Sequence, residues 1–225
     1  LFAQKDSIVN YLEEVSVVAD KNIKHNSLGL KIITLGDSVI LKNRESFTSL
    51  LRFNALIYMR ENGAGGVSTA RFRGTSSSNT VVVWNGININ SINDGLTGFN
   101  SMSVSLVDHI DVRSGGGSLK YGSGAIGGTI HLNTDLKFQN HLSNQFISSV
   151  GSYNTFQNLS KFSYGSESFA FKCGISTNQS ENDYPWLGTS FKNENGAYKN
   201  INYNLNAAYR INRYTKSSLY LTSYD

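Results

Sequence analysis

The residues best placed to do chemistry lie in one glycine-rich tract. Gly122-Ser-Gly124-Ala-Ile-Gly127 fits G-x-G-x-x-G, the spacing that lets a backbone approach a dinucleotide pyrophosphate held at a helix N-terminus. That chemistry needs a helix to open inside the motif. Here Gly127-Gly128 runs into Thr129-Ile130-His131-Leu132, which reads as a strand, so no helix dipole would face a phosphate. Glycines serving tight turns between strands are the better reading. Cys173 stands alone in the alternation Phe169, Phe171, Cys173, Ile175, where a free cysteine behaves as a small hydrophobe. His25, His109, His131 and His141 have no ligand spacing with one another or with Cys173. Neither a Gly-x-Ser-x-Gly elbow nor a paired-carboxylate constellation occurs. No catalytic residue, metal ligand or cofactor is assigned, and the chain does not read as an enzyme.

Composition narrows the class further. The net charge of +4 over 225 residues is spread without a Lys/Arg cluster, which argues against a nucleic-acid partner. No apolar run approaches the roughly 18 residues of a membrane-spanning helix. Barrel strands are short and alternate, so a β-type membrane protein stays open.

The elements around the tract are strands with little helix. Ile110 and Val112 alternate into it, and Ile130 and Leu132 alternate out. Residues 43–54, with Phe47, Leu50, Leu51 and Phe53 behind a capping Ser46, predict one short amphipathic helix. Asn62-Gly-Ala-Gly-Gly-Val67-Ser68-Thr69 predicts a loop leading into the strand Ala70–Arg73. A second polar loop, Asn88 to Gly98, follows the apolar strand Val81–Trp84. From Leu142 onward the texture becomes alternation. Ile201, Tyr203, Leu205, Ala207, Tyr209 and Ile211 share one parity, and Asn200, Asn202, Asn204, Asn206, Arg210 and Asn212 share the other. A soluble sandwich strand also alternates, but about ten residues with aromatics on the apolar parity suit a tilted strand crossing lipid. The links near Gly165–Ser168 and Asn212–Tyr214 are short, whereas Asn178–Gly196 is long and polar, as expected if short turns face the periplasm and long loops face outward.

Two ordered motifs carry a resemblance. Phe72-Arg73-Gly74 followed by Val81-Val-Val-Trp84-Asn85-Gly86, and then Ile110-Asp-Val-Arg113 with Ser118-Leu-Lys-Tyr121-Gly122-Ser-Gly-Ala125-Ile-Gly127-Gly128-Thr-Ile130, resemble the plug domain of TonB-dependent outer-membrane receptors, most nearly the cobalamin-receptor branch. The sequence departs from the family pattern at Asn85, where an Asp is usual, and at Asn54-Ala55, where Pro-Gly usually follows the helix.

The resemblance implies an α+β plug domain followed by the first antiparallel strands of a transmembrane β-barrel. That barrel is incomplete, with roughly five strands where plugged transporters have about 22. Five cannot close, and open edges in lipid are costly, so the chain is expected to be part of a longer or split receptor. The implied division is a signal remnant and leader over 1–10, a TonB-box-like segment over 11–20, a plug over 21–138 and barrel strands over 139–225. Glu13, Glu14, Val15, Ser16, Val17 and Val18 fit the TonB box, which an energy-coupling protein captures by strand addition. Val67, Ser68, Thr69, Asn93, Asp94, Leu96 and Thr97 would form the floor of a ligand site, and Arg73 and Arg113 would lock plug to barrel. The glycine tract would pack beside the barrel wall. The implied function is ligand-gated active import of cobalamin or an iron complex. Its implied partners are the TonB-type coupling protein, the transported ligand and outer-membrane lipid, with plug and TonB box on the periplasmic side. A surface β-rich adhesin would explain the alternation but not the ordered motifs, and a nucleotide-binding enzyme would need a helix after Gly127.

Overall fold

The computed structural model describes residues 31–224. The first half is built on a mixed sheet in the order β1-β6-β7-β4-β5, formed by β1 (Ile32–Leu35), β4 (Thr80–Trp84), β5 (Ile87–Asn88), β6 (His109–Ser114) and β7 (Gly128–Asn133). β4 and β7 are parallel, and the other pairings are antiparallel. A separate hairpin pairs β2 (Tyr58–Glu61) with β3 (Ser68–Arg71). β4 turns into β5 at Asn85-Gly86, both at positive φ, the tight hairpin geometry that Asn-Gly favours.

Strand alternation gives this sheet two different faces. Val82, Trp84, Ile110, Val112, Ile130 and Leu132 share one, packed with α1 (Asp37–Lys42), α2 (Phe47–Asn54) and Phe99 into the main core. Ser46 caps α2 by accepting from Ser49 N–H, as its sequence predicts. Phe47, Leu50 and Leu51 are buried, but Phe53 is 76% exposed. At 100° per residue it falls about 110° from the stripe set by the other three.

The other face is polar. Val81 and Val83 share it with Asp111, Arg113, Thr129 and His131, all buried. The glycine tract lies over it as α3 (Ser118–Tyr121) and a 3-10 turn at Ser123–Ala125, between the strand ends that the sequence predicts. Tyr121 meets the His131 ring edge-on at 5.5 Å, and Ala125 packs with Val81 and Val83. The expectation of glycines packed beside the barrel wall takes a different form: their close approaches are to plug residues. A Cβ at Gly117 would lie 2.6 Å from Thr129 Cγ2, and one at Gly128 would lie 2.8 Å from the Phe72 ring. Gly128→Ala is expected to destabilise the plug by about 2 kcal/mol, because a buried ring and the Arg113 carbonyl both block the added methyl. Hydrogen exchange of β6 and β7 would measure it, and unchanged protection would refute it.

The second half is an antiparallel meander of β8 (His141–Gly151), β9 (Thr155–Gly165), β10 (Phe169–Ser180), β11 (Tyr198–Arg210) and β12 (Lys216–Tyr224). Its burial is inverted relative to a soluble sheet. On β11 the apolar parity is outward, with Tyr203 and Tyr209 each 54% exposed, while Asn202, Asn204 and Asn206 are buried against the plug. Leu142, Phe146, Val150, Phe162, Tyr164, Ile175, Leu219 and Leu221 extend the exposed apolar side across the other strands. Cys173 lies on that side between Phe162 and Leu205. From Ile201 to Tyr209 the band runs about 27 Å along the strand, which a tilt of about 40° projects to about 21 Å, most of the roughly 25 Å apolar band of a barrel.

Candidate functional site

The functional geometry is the seam between plug and wall. Residues 99–107 run along the inward face of β11, and the asparagines there meet plug backbone one after another. Asn204 Nδ2 donates to Leu106 O at 2.8 Å, Asn202 Oδ1 accepts from Ser103 N–H at 3.2 Å, and Asn200 Nδ2 donates to Asn100 O at 2.8 Å. Further along, Asn182 Nδ2 donates to Ala64 O at 3.3 Å. These bonds are neutral, worth roughly 1 kcal/mol each, so the plug is held by many weak ties.

One strong tie supplements them. Lys172 Nζ on β10 lies 2.6 Å from Asp108 Oδ2 and also donates to Asp135 O, with both charged side chains largely buried. Asp108 in turn accepts from Asp135 N–H, and Asp135 faces His109 at 3.2 Å. The His109 hydrogen bond holds the Asp135 carboxyl below its usual range despite its burial. Sequence reasoning missed this pair. Its available signal was a lysine on the inward parity of a strand whose other face is apolar.

The two arginines expected to lock the plug lie in different settings. Arg73 is exposed on a turn at φ 45°. Arg113 is buried within the plug, donating to Gly116 O at 3.0 Å.

Loop candidates separate by burial. Ser68 and Thr69 are on β3 and buried, Ser68 bonded to Thr48 at 2.6 Å and Thr69 accepting from Ser77. Thr97 is buried and donates to Asn90 Oδ1. These three brace the loops, and their hydroxyls point into the interior. Val67, Asn93 and Asp94 are exposed, and Leu96 is half-buried. Asp94 accepts from Leu96 N–H, which holds its carboxyl below the usual range.

A cavity of about 600 Å³ opens where the β2–β3 loop meets the wall. Ala64 and Gly65 of that loop line it, facing Tyr153, Asn178, Asn182 and Tyr198, while Asn93 to Thr97 do not reach it. Gly65 lies so close to the Tyr198 ring that a Cβ would overlap it. This is the end of the wall carrying the long connection between β10 and β11, the one the short-turn and long-loop rule puts outward. The TonB-box-like residues 13–18 lie outside the described residues.

His131 gives the plug a pH dependence. It is buried, bonded at 2.9 Å to Thr129 Oγ1, and desolvation lowers its pKa from the ordinary 6.5 to about 4, opposed by Asp111 and aided by Lys120 and Arg113. The folded plug therefore keeps the ring neutral while the unfolded chain takes up a proton. This contribution is complete above about pH 6.5 and is lost as the pH falls toward 4, a loss of about 3 kcal/mol at the low end. Unfolding followed at pH 7 and pH 4.5 should show it, with a shallower slope in His131→Gln; equal slopes would refute the assignment.

Comparisons with known proteins agree with this geometry. The family model described as "TonB-dependent Receptor Plug Domain" matches residues 35–129. A vitamin B12 transporter BtuB of Vibrio vulnificus is 38% identical over 74 residues, covering 33% of this chain and 12% of that protein. The vitamin B12 transporter BtuB of Vibrio cholerae is 32% identical over 111 residues, covering 49% of this chain and 18% of the relative. Among solved structures, the siderophore receptor PirA from Acinetobacter baumannii superposes with a TM-score of 0.66 at 22% identity, over 91% of this chain and 32% of that one. The copper transporter OprC gives 0.65 at 17% identity, over 81% and 28%. At such identities these structures show the shared fold. The chain spans less than a fifth of the two curated relatives and about a third of the two structures.

Proposed function

We propose that this chain, which matches the TonB-dependent receptor plug over residues 35–129, resembles cobalamin receptors and continues into five antiparallel strands, serves active import across the outer membrane. The observation that carries this reading is the inverted wall. Apolar side chains face outward where lipid would lie, and asparagines face inward onto the plug. A plug seated by weak neutral bonds and a single ion pair fits a gate that a coupling protein opens by pulling.

In this reading a scarce ligand, cobalamin or an iron complex, binds on the outward side near Val67, Asn93, Asp94 and Leu96. Binding makes residues 13–18 available to the TonB-type protein in the periplasm, and pulling on that segment opens a path. The plug performs no covalent step.

Uptake of labelled cyanocobalamin and of a ferric chelate tests this, in cells expressing the receptor that contains this chain, with and without the coupling protein. Uptake of either that disappears with the coupling protein supports it. Surface binding without any coupling-dependent uptake would favour an adhesin.

A further inference from the structure

Asn206 breaks the series of asparagines along β11. Asn200, Asn202 and Asn204 each hold plug main chain. Asn206, next on the same parity and 0% exposed, has neither amide atom hydrogen-bonded among the described residues. Past the last bonded plug residue, Asp108 N–H is committed to Asn133 O at 2.9 Å. A buried amide left unmatched weakens the seated plug.

Register sets that amide beside the ion pair. Asn206 lies directly across the ladder from Lys172, whose neighbour on the other side is Ser163 of β9. Opposed side chains start from Cβ atoms about 5 Å apart, well within the length of a lysine. Ser163 Oγ is already engaged with His141 Nε2 at 2.8 Å, so of these two wall neighbours Asn206 holds the unoccupied side-chain acceptor. On its far side Tyr220 of β12 meets Trp84 of the plug edge-on at 6.0 Å, so plug contacts flank the amide on both neighbouring strands.

Both partners of Lys172 Nζ belong to the plug side of the seam, Asp108 Oδ2 at 2.6 Å and Asp135 O at 3.3 Å. They leave together when the plug moves. An ammonium stripped of its partners in a dry seam is strongly unfavourable, and that state arises in the first movement, before water fills the gap. Resting on the receptor reading above, we infer that Asn206 is a positioning residue for plug release, its side-chain oxygen accepting from Lys172 Nζ as Asp108 departs. The transfer runs between neighbours on one sheet, so no wall strand has to shift. The unmatched amide raises the seated state, and the hydrogen bond it gains lowers the state in which the pair is broken. Both act on the same barrier. Lys161, the other wall cation near Asp108, has no acceptor to offer and cannot take this role.

The whole receptor that contains this chain, with labelled cyanocobalamin and a labelled ferric chelate as probes, tests this in Asn206→Leu, which keeps a branched shape without the acceptor. The half-saturating probe concentration should stay within about twofold, while maximal coupling-dependent uptake falls about tenfold, the loss of one hydrogen bond to a charged group. Amide exchange over residues 108–114 and 128–135 should be no faster than in the unaltered receptor, because the substitution removes an unmatched amide. Asn206→Ser retains an acceptor and should recover uptake to within about threefold of the unaltered rate. In Lys172→Met there is no ammonium to transfer, and adding Asn206→Leu should change uptake by less than about twofold. Unaltered uptake by Asn206→Leu would overturn the inference. Faster exchange in that variant, or an equal loss of uptake in the Lys172→Met background, would overturn it by marking Asn206 as a packing residue. In each of those cases coupled uptake by the unaltered receptor leaves the transporter reading standing, whereas no coupled uptake of either probe by the unaltered receptor would sink both.

Discussion

A receptor carrying Val17→Pro is expected to bind its ligand as the unaltered protein does and to import roughly a hundredfold less of it. The proposed capture of residues 13–18 is strand addition, in which main-chain N–H and C=O groups form the ladder and side chains matter little. Proline removes a donor and cannot sit within a paired strand, so a single substitution interrupts the ladder near its centre. Val17→Ala keeps the backbone and should retain most uptake. Binding to whole cells and transport into them, measured in parallel for both variants, make the comparison. Normal transport by the proline variant would remove this segment from the coupling step.

The second large effect should come from Lys172→Met. Lys172 and Asp108 are each about one-sixth exposed at the side chain, so deleting the cation leaves a buried carboxylate bonded only by the Asp135 N–H, with Lys161 as the remaining nearby cation. Breaking such a pair on one side costs about 3 kcal/mol, more than any single asparagine bond along the seam. The loss should appear as faster hydrogen exchange in residues 108–114 and 128–135. Adding Asp108→Asn should recover part of it, because the double variant no longer buries the Asp108 carboxylate without its ion-pair partner. If the single and double variants exchange alike, the pair is not what seats this edge of the plug.

The fold was legible where one physical rule governed a stretch. The glycine tract could be read because a strand follows Gly127 where a phosphate site needs a helix, and Gly128–Asn133 is that strand. The wall could be read because β11 alternates over its whole length, and its two parities meet two different environments. The helix at Phe47 was marked by Ser46.

Legibility failed where local chemistry and tertiary placement pull apart. The helix at Asp37–Lys42 has no side-chain cap and buries only Ile40, so little in its six residues announces it. Ser68, Thr69 and Thr97 have loop-like chemistry, yet each hydroxyl finds a partner inside the plug. Lys172 was visible on the polar parity of β10, but only the folded register shows that it reaches Asp108 across 64 residues of sequence. The loop at Asn62–Val67 was recognisable by composition. Its closeness to Tyr198 could not be, because that contact joins two segments with no shared pattern.

The asparagine seam also bears on how the gate behaves in different surroundings. Dissolved ions screen charges over about 10 Å at 0.1 M and over about 3 Å at 1 M, but they scarcely affect an amide bonded to a carbonyl. With Asn182, Asn200, Asn202 and Asn204 all tied to main chain, this neutral stretch of the seam depends little on salinity. In the proposed receptor this length of seam would hold equally well in dilute and in briny water.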